Sequence, residues 1–585
     1  MSHPPSAPLT KQIDTDILIV GGTTGGVAAA IACASVGARF VVVESTDWLG
    51  GQLTAQGVPP DENTWIEDFG GTRTYQRLRE AVRALTLERG AAQRSVEPFG
   101  AFNPGGGWVS RCCAEPRLFA ELLAKSFDHE AWHGKTASPQ GSFEILLNFK
   151  PISADVAGDS VRAVSFAGNA PHNEDQRLTV TAKFIIDATD LGDVYELAGI
   201  EHSIGAEHQS VYNELHGRTD FSASDKKLDW LDQQAVSWCF AVEHRPGETH
   251  TIAKPDQYDF WAGYRPAMSP PWVTEPPEAG PEAVPGRLFS WTVPSHSKQG
   301  YRTFGMTPWP DEPAKDTLEM WRYRRIVDRS IWPAASAAQH PDVSLINMVQ
   351  MDYWLTPLLG VSHTVRQRSL QAARELSASW LYWMQTAAPR HDGQGLGYPG
   401  LRLRGDELGT ADGFAKACYI REPRRLLART MVTEAHVGTA QRLTEGQATD
   451  ASNWSATEFG TAHRFADTVG IGHYMIDLHP SCAMRNNVYV PCAPFRIPMG
   501  ALIPQRMTNV LAGGKAMGVS HITNAAYRMH ATEWNVGESA GTLAAWCARY
   551  NLQPAAIHES PEHVEAVQRA LVGRGVRIAW PWEGS

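Results

Sequence analysis

Apolar positions fall into short unbroken blocks near the start of the chain and into helical spacing later on. The first block is 17–20, Ile-Leu-Ile-Val, and it stops at Gly21. A glycine-rich turn follows, then small apolar residues over 27–34. A second block, Phe-Val-Val-Val at 40–43, ends at Glu44. This order predicts strand, turn, helix, strand and a terminal acid. Further strands are predicted over 143–149, 160–166 and 178–188, the last running into Asp187-Ala-Thr-Asp-Leu-Gly-Asp193. Composition changes after about residue 205. Seven prolines between Pro266 and Pro285 exclude a helix or a central strand and predict a long surface loop, a candidate lid. Helices are predicted over 316–331 and 363–385; in the second, Val365, Leu370, Ala373, Leu376 and Trp380 recur at helical spacing. Near the end, Asn509-Val-Leu-Ala-Gly-Gly-Lys515 predicts a strand followed by paired glycines. A helix over 532–549 carries Gly537-Glu-Ser-Ala-Gly541 in its first half.

The N-terminal succession has the chemistry of a dinucleotide-binding unit. Gly21 permits the sharp turn out of the strand, and Gly26 lets the helix pack close to the sheet. The helix N-terminus offers free N–H groups and a partial positive charge to a pyrophosphate. Glu44, at the end of the second strand, suits ribose hydroxyls and repels a 2′-phosphate, which favours FAD or NAD over NADP. In G-x-G-x-x-G terms the middle glycine is replaced by Thr23, which brings a Cβ to a place where backbone usually approaches phosphate. With the second glycine-bearing strand near residue 510, the nucleotide domain is predicted to be discontinuous. It comprises 13–205 and 466–550, with a substrate domain over 206–465 inserted and a C-terminal helix and tail over 551–585. The expected fold class is α/β: a Rossmann-like FAD-binding domain with an inserted α+β substrate domain.

Composition narrows the partners. The chain has 52 basic and 63 acidic residues, a net charge of -11, and no basic tract, so nucleic acid is not an expected partner. No apolar run is long enough to span a membrane, and residues 1–11 lack a signal pattern, so a cytoplasmic protein is expected. The eight cysteines form no C-x-x-C pair, which disfavours iron–sulfur and structural zinc sites, and no metal is expected. Cys112 and Cys113 are adjacent and are read as two reduced thiols. The abundant tryptophans are expected in the core, with a pocket wall as the alternative. Oligomeric state is not readable.

Four motifs then agree: Gly21-Gly-Thr-Thr-Gly-Gly26 with Glu44; Gly50-Gly-Gln-Leu-Thr54; the segment 187–193; and the segment 509–515 with 537–541. Together they resemble the FAD-dependent oxidoreductase family that uses a G-G-T-x-x-G turn, within the glutathione-reductase-like flavoprotein superfamily. The segments Tyr419-Ile-Arg-Glu-Pro-Arg-Arg425 and Gly472-His-Tyr-Met-Ile-Asp-Leu-His-Pro480 are similar to the same family. The resemblance implies FAD as cofactor. It implies that Gly21, Thr23 and Gly26 cradle the pyrophosphate and that Glu44 binds the adenosine ribose. Gly50, Gly51 and Gln52 would lie along the pyrophosphate and ribityl chain, with Gly513 and Gly514 approaching from the other side. Thr24, Ser45, Ala188, Thr189, Asn535 and Gly541 complete the expected contacts, the last on a helix directed at the pyrimidine end of the flavin.

A flavin enzyme must orient its substrate and move a proton. His521 is the first candidate base, since it follows the glycines expected at the flavin, and His473 is the second. Arg528 is the candidate anion clamp. Asp477 and His479 rank below these. Tyr419, Arg421 and Arg424 are read alternatively as an ion-pair cluster against Glu422. The expected function is hydride transfer to flavin from a small organic substrate at a CH-OH, CH-NH or CH-CH bond, with electrons passed to O2 or another acceptor. The alternatives are a flavin-dependent reductase of an activated double bond and a flavin-containing binding protein without turnover.

Overall fold

The computed structural model describes residues 10–91, 101–127, 142–221, 228–272, 286–295, 300–308, 319–444 and 462–583. Seven strands make the main sheet: β1 (Thr10–Val20), β2 (Phe40–Val43), β3 (Phe143–Leu146), β4 (Phe149–Ala157), β5 (Ser160–Gly168), β6 (Arg177–Asp187) and β7 (Val510–Ala512). β3, β2, β1, β6 and β7 run parallel, while β4 and β5 form an antiparallel hairpin on β6. Helix α1 (Thr24–Ser35) carries the chain from β1 to β2. This is the Rossmann-like α/β arrangement expected, and the strand from the far end of the chain completes it.

The long strand β6 divides one edge between two partners. Its first half, through Thr181, pairs with β5, and its last residues, from Ile185, pair with β7. Such a change of partner leaves backbone groups without a ladder. Asn509, just before β7, closes the gap. Its Oδ1 accepts from the Val161 N–H (2.9 Å), and its Nδ2 donates to the carbonyls of Val161 (2.8 Å) and Lys183 (3.0 Å). The blocks at 17–20 and 40–43 are apolar throughout because helices and sheet cover them: none of their side chains is more than 3% exposed. Burial on that scale contributes roughly 1.5–3 kcal/mol per large side chain.

After β7 come α2 (His521–Tyr527) and α3 (His530–Tyr550). α3 packs against α1, and both lie on the sheet. α1 is rich in alanine and glycine because it has almost no free face; Thr24 to Ala34 are all buried.

The chain between β6 and β7 holds a four-stranded antiparallel sheet in the order Arg325–Val327, Val343–Ile346, Phe240–His244, Leu401–Leu403. The helix His363–Thr386 lies where the spacing predicts one, capped by the Ser362 hydroxyl accepting from the Val365 N–H. The helix predicted over 316–331 does not form in the described part of that span. It is a turn of helix (Met320–Tyr323), then a strand (Arg325–Val327), then a 3-10 turn (Arg329–Ile331). Pairing of Arg325–Val327 with Val343–Ile346 overrides the local preference. Of the proline-rich segment, 273–285 lies outside the described residues. The described part is irregular, yet Met268 and Trp272 are buried within it. Trp272, Trp321, Trp354 and Trp380 are wholly buried in the insert core, the expected role. All eight cysteines are free thiols. Among the described residues no helix is long and apolar enough to cross a membrane.

Candidate active site

The glycine turn is held from three directions. Gly21 has φ +96°, and a Cβ there would come within 2.6 Å of the Ala188 carbonyl oxygen, so only glycine passes beneath the end of β6. The Gly22 N–H donates to Glu44 Oε2 (2.7 Å). Glu44 Oε1 accepts from the Thr46 N–H (2.8 Å), the Thr46 hydroxyl (2.9 Å) and the Ser45 hydroxyl (3.1 Å). Burial pushes the Glu44 carboxyl above its ordinary range, while the donors around it favour the ionised form. The Thr24 hydroxyl donates to the Gly50 carbonyl (2.8 Å), and the Gly50 N–H donates to the Gly22 carbonyl (2.7 Å). The turn at 50–52 is thereby fixed to the turn at 21–26.

Thr23 explains its own presence. Its hydroxyl donates to the Ala188 carbonyl (2.7 Å) and accepts from the Gly26 N–H (3.3 Å). The side chain therefore caps α1 and ties it to β6. Its other neighbour is Gly51, at φ +52°, where a Cβ would stand 3.0 Å from both Cα and Cβ of Thr23. Past Ala188, the Thr189 N–H (2.9 Å) and hydroxyl (2.7 Å) donate to buried Asp187, which shapes the turn out of β6.

These residues fit a dinucleotide by their chemistry. Gln52 is the direct sign: its Nε2 donates to the Arg528 carbonyl (3.2 Å) and to Glu533, while its Oε1 is buried with no hydrogen-bond partner. An orphaned buried acceptor costs about 1–3 kcal/mol unless a ligand donor meets it. Beside it, Lys515 pairs with Asp190 (2.8 Å) and donates to the Ile420 carbonyl (2.8 Å). Glu533, in the first turn of α3, has its carboxyl pushed up to about 7 by burial, against the pull of Lys515. A buried acid sits at this helix start together with a buried lysine. The sequence reading passed over Glu533, although an acid opening a helix of small residues is the signal that marks it.

Two expected FAD contacts lie elsewhere. Gly541 is in the middle of α3, and a Cβ there would meet the Ala29 carbonyl oxygen at 2.3 Å; Gly537 meets that of Gly25 at 1.9 Å. Both glycines serve the crossing of α3 over α1. Asn535 donates to the Ile471 carbonyl (3.2 Å) and accepts from Ser539 (3.4 Å), bolting α3 to the strand Thr468–Gly472. The helix end itself is at His530, and Asp61 N–H donates to His530 Nδ1 (3.0 Å). These glycines suggest a flavin contact in the sequence because close helix packing and ligand approach select the same small residues.

Next to this cradle is a cavity of about 170 Å3. Arg302, Arg324, Arg421 and Arg528 line it, with Asp61, Asp477, His479 and four tyrosines; among the described residues no tryptophan does. Cradle and cavity share a wall. Arg528 accepts from Gln52 at its carbonyl and sends Nη1 to the Tyr419 hydroxyl (2.9 Å) and Nη2 to the Asp477 carbonyl (3.0 Å). His479 Nδ1 is 2.6 Å from buried Asp352, and its Nε2 is 3.4 Å from Asp477. Asp352 also receives Arg421 (2.9 Å). Burial alone would raise the Asp352 carboxyl, but Arg421 and His479 outweigh it and hold it ionised below its usual range.

The three expected catalytic residues separate. Arg528 lines the cavity. His521 does not: its Nδ1 is bonded to Glu422 (2.8 Å) and its N–H to Glu207 (2.9 Å), in a buried network closed by Arg425. His473 faces the Cys492 carbonyl (3.2 Å) and the Trp65 ring, and burial lowers its imidazole to about 4. The cluster imagined around Glu422 is also rearranged. Arg421 goes to Asp352, Arg424 to Asp193 and Glu196, and Glu422 takes Arg425 and His521 instead. Asp61, Arg302, Arg324 and Asp352 went unread because no motif surrounds them.

Comparison with known proteins adds the following. A family model described as FAD dependent oxidoreductase matches residues 16–571. No curated protein matches the chain. Among solved structures, L-proline dehydrogenase from P. horikoshii aligns with 14% identity over 34% of this chain and 26% of its own, TM-score 0.17. Thermovibrio ammonificans THI4 gives 17%, 33%, 66% and 0.20. The myxobacterial chondrochloren halogenase CndH gives 12%, 41%, 45% and 0.22. Each alignment spans less than two thirds of the other chain, and at these scores the likenesses carry no argument about function.

Proposed function

The chain belongs to the FAD dependent oxidoreductase family, and from that premise we propose that it oxidises a small organic substrate held in the arginine-lined cavity. The bond concerned is CH-OH, CH-NH or CH-CH, and the electrons pass on to O2 or another acceptor. The G-G-T-x-x-G turn and a place in the glutathione-reductase-like superfamily belong to the same proposal. The observation that carries it is the Gln52–Arg528 contact, because it joins the cradle to the wall of the cavity that His479 also lines.

The cradle residues at 21–26, 44–46, 50–52, 187–189 and 513–515 are those that would hold FAD. When bound, FAD supplies the hydride acceptor. The chain supplies the proton acceptor, and His479 suits that task better than His521 or His473. Asp352 holds Nδ1 and fixes the ring, with Nε2 directed toward Asp477 on the cavity wall. A proton leaving the substrate hydroxyl or amine goes to Nε2, and the imidazolium then stands between two carboxylates, Asp352 and Asp477. Arg528 and Tyr419, bonded to each other, fix the wall against which the substrate is oriented.

Anaerobic mixing of the flavin-loaded protein with a panel of alcohols, amines and acids tests this, followed by flavin absorbance. His479→Ala should slow bleaching by roughly 10²–10⁴-fold with FAD content unchanged. Bleaching at the unaltered rate removes His479 from the mechanism. Reoxidation of reduced protein by an enoate, with no bleaching by any alcohol or amine, would reverse the direction of the reaction.

A further inference from the structure

Among the described residues, charge in the cavity does not balance. Four guanidiniums line it, and the carboxylates that face them are Asp61, Asp477 and, behind Arg421, Asp352. Two of the arginines are committed: Arg421 to Asp352 and to Ser237 (3.0 Å), Arg528 to Tyr419 and the Asp477 backbone. The other two are held more loosely, Arg324 by an ion pair with Asp61 that is not hydrogen-bonded and Arg302 by no described carboxylate. Arg324, with its side chain only 12% exposed, stands 3.7 Å from Asp61, beyond hydrogen-bond reach, and its Nε and Nη1 have no hydrogen-bond partner. Arg302 lies over the Phe304 ring, 5.1 Å from its centroid; its Nε is also unpartnered, and it forms no ion pair with a described residue. An enclosed guanidinium whose donors are not met by hydrogen-bond acceptors is destabilising. A ligand anion would offset that cost, and one anionic group suffices to balance four cations against three carboxylates.

We propose that the substrate is a small monocarboxylate whose carboxylate is received by Arg302 and Arg324. This rests on the reading of the cavity as the substrate site. The planar fork of a guanidinium matches a carboxylate in two parallel hydrogen bonds. A second anionic group would be repelled by Asp61 and Asp477, which line the same cavity. The carboxylate anchors one end of the molecule, and the oxidised carbon lies on the side of His479.

Calorimetric titration of the purified protein, as isolated, with propionate and lactate tests the assignment; propionamide and inorganic phosphate are the comparison probes. Propionate and lactate should bind at least roughly tenfold more tightly than propionamide, and less tightly as salt rises. Arg324→Met and Arg302→Met should each weaken carboxylate binding by roughly tenfold or more, with FAD content and thermal midpoint retained. Arg302 pairs with no described carboxylate, so its variant decides the matter should Arg324→Met fail to fold. Equal affinity for propionamide, tighter binding of phosphate, or unchanged carboxylate binding in Arg302→Met would overturn the proposal. The two readings fail separately. Carboxylate binding by a protein that takes up no FAD leaves the subsite standing and removes the oxidase or dehydrogenase reading. A flavin-loaded protein indifferent to every carboxylate does the reverse.

Discussion

Gly537→Ala adds one methyl group at the crossing of α1 and α3. That Cβ would stand 1.9 Å from the carbonyl oxygen of Gly25, where a C···O contact needs about 3.3 Å. The blocking atom is backbone, so no side chain can rotate away, and the helices must part by about 1.4 Å. Overpacking of this kind costs roughly 1–3 kcal/mol, against a gain of about 1 kcal/mol from the better helix propensity of alanine. Because the obstacle is rigid, the upper end applies, and a net loss of about 2 kcal/mol is expected. For a unit of this size that lowers the melting midpoint by a few degrees. The consequence for function is direct. Gly25 belongs to the glycine turn, and Glu533 sits one turn before Gly537 on α3, so parting the helices moves both walls of the cradle. FAD content should fall together with the midpoint. Gly573→Ala supplies the control: it too lies in a helix, Pro561–Arg574, but nothing stands within 4 Å of an added Cβ. The same chemical change there should hold or raise the stability, by up to about 1 kcal/mol. Differential scanning fluorimetry and flavin absorbance on the two variants give the answer. A Gly537→Ala protein as stable and as yellow as Gly573→Ala refutes the close crossing.

Three further outcomes follow from the same geometry. Glu533 keeps its proton up to about 7 in the folded protein because it is buried, whereas in the unfolded chain it loses the proton near its ordinary value. Between those values the folded state binds more protons, so stability falls as pH rises, by up to about 3 kcal/mol from this group. Glu533→Gln should therefore gain stability relative to wild type as pH rises from about 4.5 to 7, and parallel midpoint-versus-pH curves would contradict this. Asp352→Asn leaves Arg421 buried against a neutral partner and frees His479 Nδ1. It should cost roughly 3–5 kcal/mol and slow flavin reduction, with Arg421→Met restoring part of the stability but none of the rate; recovery of both would show that Asp352 only balances charge. Glu44→Gln loses the charge that the Gly22 and Thr46 N–H groups and the Ser45 hydroxyl converge on, and equilibrium titration should show FAD binding weakened roughly 10–100-fold.

The cradle was legible because its residues are close in sequence. The block at 17–20, the turn at 21–26 and Glu44 lie within one βαβ unit, so spacing alone reports how they meet. The role of Thr23 was not legible. Its hydroxyl bonds to Ala188, 165 positions away, and only pairing of β1 with β6 brings the two together. The paired glycines at 513–514 announced a second approach to the turn. Those at 537 and 541 looked the same in sequence but answer to helix packing, since a missing Cβ says that something comes close and not what it is.

The cavity was illegible for the opposite reason. Its lining comes from residues near 61, 302, 324, 348, 420, 475 and 528, and no two of those segments share a spacing that a pattern could report. Histidines could be ranked only by their distance in sequence from the glycines, which put His521 first. Folding separates them by pairing: Glu422 takes His521, and Asp352, on the short strand Asp352–Tyr353, takes His479. The signal that could have found the site is compositional. Buried arginine is expensive and needs partners, and the insert concentrates arginine among tyrosine and tryptophan, where apolar packing alone has no use for it. Arg324 and Arg302 keep donors that no described residue satisfies. Those donors, more than any motif, set the cavity apart from the rest of the core.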